Sequence, residues 1–129
     1  MSDELTGVWY GRYDGSNHQQ TNSFIAQLDE AGNRIGGVIT EPDPKEAGGI
    51  RRATVSGARS GASIDFVKQY DGRTLEHAVF YQGSVNADAT EISGSWTILY
   101  LRGTFVMTRE KFSEEELEEW DDIELEALR

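Results

Sequence analysis

Hydrophobic and polar residues alternate along most of this chain with a period of two, the signature of strands wetted on one face. Phe24, Ala26 and Leu28 share one parity, and Ser23, Gln27 and Asp29 the other. Ile92, Gly94, Trp96 and Ile98 repeat the pattern against Ser93, Ser95 and Thr97. The alternation predicts strands near residues 6–13, 22–30, 34–41, 51–60, 62–70, 75–86, 90–99 and 102–109. Most are separated by hairpin-length turns: Glu30-Ala31-Gly32-Asn33, Ser60-Gly61-Ala62 and Asp71-Gly72 tolerate positive φ, while Asn86-Ala87-Asp88 caps a turn with side chains. Two polar connections are longer, Asp14 to Thr21 and Pro42 to Gly49, and their spacing predicts that both sit at one mouth of the fold.

Glycine inside the runs, at Gly36, Gly37, Gly57, Gly83 and Gly94, weakens an ordinary strand but suits a sheet that curls tightly. The expected architecture is therefore all-β, an eight-stranded antiparallel up-and-down barrel over residues 1–109, with a two-sheet sandwich as the competing reading. After Arg109 the period changes. Ser113-Glu114-Glu115-Glu116 has the form of a capping box, and Leu117, Trp120, Ile123 and Ala127 then recur at helical spacing. Residues 110–129 thus read as an acidic amphipathic helix that docks through Trp120 or stays disordered.

Charge sharpens this division. Residues 1–109 carry ten Lys and Arg against thirteen Asp and Glu, and residues 110–129 carry two against ten, so most of the net −11 lies in the tail. Such a tail repels a phosphate backbone and argues against nucleic acid. No stretch of sequence approaches the length and apolarity of a membrane span, so no membrane partner is expected. The absence of cysteine removes disulfides and thiolate metal sites, and with an acidic start lacking a signal-peptide pattern it fits a reducing cytoplasm.

Catalytic signals are missing. His18 and His77 have no partner at ligand spacing, no nucleophile or phosphate-loop motif is present, and Asp65 and Lys68 fall on opposite faces of one strand. The reading is non-enzymatic, without cofactor or metal. Trp9, Phe66, Tyr81, Trp96 and Phe105 are expected inside, either as core or as the walls of a cavity. In the second case Phe66, Trp96 and Tyr81 grip a small apolar or aromatic ligand, and Tyr13, Ser16 and Tyr70 orient it. Arg51-Arg52 reads as a solvated pair at a strand end, or as a dock, with Arg59, for the acidic helix.

The chain resembles the calycin barrels, and among them the avidins. Leu5-Thr6-Gly7-Val8-Trp9-Tyr10 is similar to the avidin opening strand, Ile64 to Tyr70 falls at an apolar-Trp-Lys strand, Glu91 to Trp96 resembles the Trp-bearing seventh strand and Gly103-Thr104-Phe105 the last. The resemblance implies an avidin-like topology, outer faces that pair into a dimer or tetramer, and an end closed by Gly7, Trp9 and Arg109. It does not extend to the biotin donors: Gly11 stands for an asparagine, Phe66 for a stacking Trp, and Gly103 for an aspartate. The implied function is a small-molecule-binding barrel whose ligand is other than biotin. The alternative is an interaction protein whose Leu117, Trp120 and Ile123 engage a basic protein partner.

Overall fold

Antiparallel pairing runs from each strand to the next in sequence and then from the last back to the first, closing an eight-stranded barrel. A computed structural model describes residues 4–15, 21–43, 47–72 and 78–110. The strands are β1 (Gly7–Gly15), β2 (Thr21–Ala31), β3 (Arg34–Pro42), β4 (Ile50–Ser60), β5 (Ser63–Tyr70), β6 (Val79–Val85), β7 (Glu91–Ile98) and β8 (Leu101–Thr108). Closure rather than sandwich stacking is settled by the β1–β8 register, in which Tyr13 faces Phe105 and Tyr10 faces Thr108. Of the strand predicted over residues 75–86, residues 75–77 lie outside the described residues, Ala78 is not in a strand, and pairing with β5 begins at Lys68 opposite Val79. The proposed helix, including Leu117, Trp120 and Ile123, lies outside the described residues, as do Ser16, His18 and His77.

The dry parity points inward. Phe24, Ala26, Leu28, Ile35, Ile39, Val55, Ile64, Phe66, Tyr81, Ile92, Phe105 and Met107 form one continuous core. Closing so few strands into a cylinder brings neighbouring backbones together, which explains the strand glycines. A Cβ on Gly94 would strike the Gln82 carbonyl and the Gly83 Cα on β6, and one on Gly103 would strike the Asp14 carbonyl and the Trp96 indole. Only hydrogen fits there. Gly103 thereby lets Trp96 reach across β8 and donate from Nε1 to the Asp14 carbonyl at 3.0 Å.

The two rims differ. At one, short turns join β2 to β3 and β4 to β5, and the end is plugged. Arg109 lies over the Trp9 ring at 4.5 Å and donates to the carbonyls of Ala89, Thr6 and Glu4, while Trp9 Nε1 donates to the Leu5 carbonyl at 2.9 Å. A Cβ on Gly7, which has φ of +142°, would touch this guanidinium at 3.4 Å. The opposite rim gathers the β1–β2, β3–β4, β5–β6 and β7–β8 connections, so both long polar connections leave from the same mouth.

Candidate functional site

At the open rim the inner wall changes from apolar to charged. Glu41 extends the inward parity of Ile35 and Ile39 on β3, and Lys68 extends that of Ile64 and Phe66 on β5. Both are buried, with 2% and 1% of their surface exposed. Register places Arg51 on β4 directly opposite Glu41, so it shares the inward face. This corrects the reading of Arg51 as a solvated strand-end charge: only Arg52, one residue on, points out. Arg59 is likewise engaged, paired with Glu30 at 3.0 Å near the plugged rim.

Glu41 is the hub. Its Oε1 accepts from Tyr70 at 2.7 Å, from Arg51, and more distantly from Tyr13 at 3.4 Å. Its Oε2 accepts from Lys68 at 3.2 Å. The Lys68 ammonium also lies over three rings, 4.6 Å from Tyr13, 4.8 Å from Tyr70 and 5.4 Å from Tyr81. Cation–π attraction replaces part of the hydration that burial removes. Burial nonetheless holds the Lys68 pKa below the usual lysine value, with Glu41 opposing. Burial also raises the phenols: Tyr70, further raised by its hydrogen bond to Glu41; Tyr13, further raised by the Glu41 charge; and Tyr81, the most deeply placed. All three remain neutral donors at physiological pH.

Beneath this layer the rings hold one another. Phe66 and Tyr81 stack at 4.7 Å, and Phe105 meets Tyr81 edge-on at 5.0 Å. Tyr13 meets the half-buried Trp96 edge-on at 6.0 Å. The barrel therefore brings Phe66, Tyr81, Trp96, Tyr13 and Tyr70 into its open half, with Phe66 against Tyr81, Tyr13 against Trp96, and Tyr70 beneath the Lys68 and Arg51 cations. Two donors find no partner among the described residues, Arg51 Nε and the Tyr81 hydroxyl, and both atoms are buried. Beside Arg51, a depression of about 320 Å³ opens at the rim, lined by Ile50, Arg51, Arg52, Tyr70 and Asp71. Glu41, Lys68 and Arg51 are the elements of this site that sequence reasoning missed.

Outside, the wet parity is interrupted on β1, β2 and β3. Tyr10 and Ile25 pair directly and are 61% and 48% exposed, with Val8 and Val38 exposed beside them.

No protein-family model matches the chain, and no curated protein matches it in sequence. Among solved structures it is similar to a redesigned β-barrel, with a TM-score of 0.69, 14% identity, and coverage of 83% of this chain and 92% of that one. At that identity the likeness shows the closed antiparallel barrel and nothing finer.

Proposed function

We propose that the protein is a non-enzymatic small-molecule-binding barrel that takes its ligand at the open rim. The observation that carries this reading is the buried Glu41–Lys68–Arg51 cluster beside the rim depression. Taking ions out of water costs several kcal/mol each, and a packed apolar layer of similar volume commonly gives equal or greater stability. Stability alone is therefore weak reason for a scaffold to carry this layer. Placed next to an opening, the same layer offers oriented donors and flat rings to a molecule that enters.

The exposed Val8, Tyr10, Ile25 and Val38 favour a second element of the proposal, pairing of two copies through β1, β2 and β3. Native mass spectrometry of protein purified gently from a cell extract tests both. The expected spectrum shows an even subunit number and a defined additional mass that leaves on collisional activation. A monomer argues against pairing. A spectrum of bare protein only, together with no change in melting temperature across a small-molecule library, overturns the binding reading.

A further inference from the structure

Resting on that reading, we propose that the ligand is an organic anion, a small planar carboxylate whose acid group is held by Arg51 at the rim, with Arg52 adding positive charge from the outer face. The buried cluster contains two cations, Arg51 and Lys68, but one carboxylate, Glu41. Glu41 is already shared among four donors: Oε1 takes Arg51, Tyr70 and Tyr13, and Oε2 takes Lys68. Donors are left over: Arg51 Nε and the Tyr81 hydroxyl are buried and find no partner among the described residues. The phenols do not supply the missing negative charge, since their surroundings keep them protonated. The ion pairs of the layer thus set two cations against one carboxylate.

The depression next to it continues the imbalance. Its lining includes two arginines, Arg51 and Arg52, and one acid, Asp71. Ile50 and Tyr70 complete the lining, and Arg51 lies over the Tyr70 ring at 4.6 Å. A carboxylate is an acceptor only, and guanidinium is the side chain whose planar fork matches it. An attached flat apolar body then packs on Ile50 and the Tyr70 ring. A neutral amide of the same shape brings no charge to the two arginines, and an ammonium adds like charge, with Asp71 the one carboxylate of the lining.

The discriminating experiment titrates the full ¹⁵N-labelled chain with 2-naphthoate, 2-naphthamide and 2-naphthylmethylammonium, following amide shifts. Naphthoate is expected to shift Ile50, Arg52, Tyr70 and Asp71 saturably and to bind about tenfold more tightly than the amide, one charge-assisted contact's worth of discrimination. The ammonium is expected to leave those signals in place. Arg52→Gln alters an exposed side chain and is expected to weaken naphthoate about five- to tenfold while leaving amide affinity unchanged. Equal affinity for acid and amide, or indifference of the acid to Arg52→Gln, overturns the anion proposal while the rim remains a binding site. No saturable shift at the rim with any of the three compounds overturns the rim reading itself.

Discussion

Replacing Glu41 by Gln keeps the side chain's shape and removes the charge on which the open half is organised. In the parent, Oε2 accepts from Lys68 at 3.2 Å and Oε1 accepts from Tyr70 at 2.7 Å and from Arg51. A glutamine carbonyl still serves Tyr70 and Arg51, but the amide nitrogen then meets the lysine ammonium, donor against donor. The cluster is left with two buried or half-buried cations and no carboxylate. Removing one partner of a buried pair costs about 3–5 kcal/mol; Arg51 keeps 27% of its side-chain surface in contact with solvent, so the lower end applies. For a domain of this size with a urea m-value of about 2 kcal/mol/M, a loss of about 3 kcal/mol lowers the urea midpoint by about 1.5 M. Adding Lys68→Met to Glu41→Gln removes the stranded ammonium while keeping an unbranched apolar stem over the three rings, and is expected to recover at least about half the loss. Urea unfolding followed by circular dichroism reads both. A single variant within about 1 kcal/mol of the parent, or a double variant no more stable than the single, refutes the argument that charge pairing organises this layer.

Two further outcomes follow from geometry already described. Gly94→Ala drives a methyl group into the Gln82 carbonyl and the Gly83 backbone across the β6–β7 pair, and overpacking of this kind is expected to cost about 1–3 kcal/mol or more in urea unfolding, with parental stability the refuting result. The pH dependence of stability turns over near pH 10. Burial holds the Lys68 pKa below its unfolded value, so the unfolded chain binds the extra proton and this residue makes stability rise as pH climbs toward 10. Tyr13, Tyr70 and Tyr81 are raised by burial, so above about pH 10 the unfolded chain loses phenolic protons that the fold retains, and stability falls. Urea midpoints from pH 8 to 11.5 that stay flat above pH 10 refute the burial of the phenols.

Period-two alternation made the barrel legible because every strand has one wet face and one dry face, as Phe24, Ala26 and Leu28 against Ser23, Gln27 and Asp29 illustrate. The same rule held the signal for the charged layer. Lys68 shares parity with Ile64, Phe66 and Tyr70, and Glu41 shares parity with Ile35 and Ile39. What local pattern cannot supply is their meeting, since β3 and β5 are separated by β4 and the ion pair forms through the barrel interior. Arg51 follows a proline-bearing connection whose length hides its register, so its place opposite Glu41 emerges only from the strand pairing. The described part of β6 begins at Val79, where its pairing with β5 begins, and residues 75–77 of the predicted strand lie outside the described residues.

The order of strands around the barrel has a kinetic consequence. Seven of the eight pairings join strands adjacent in sequence, and one, β1 with β8, joins the two ends of the described barrel. Loop-closure entropy must be overcome before distant contacts are gained, so local hairpins form at modest entropic cost and the last pairing bears the long-range cost. Until it forms, β1 and β8 are open edges of a curled sheet, available to another chain. The Arg109 bonds to the Thr6 and Glu4 carbonyls and the Trp96 bond to the Asp14 carbonyl lie on either end of that last pairing. They act as latches across the pairing of highest sequence separation, and their loss is expected to show most in how fast the cylinder opens.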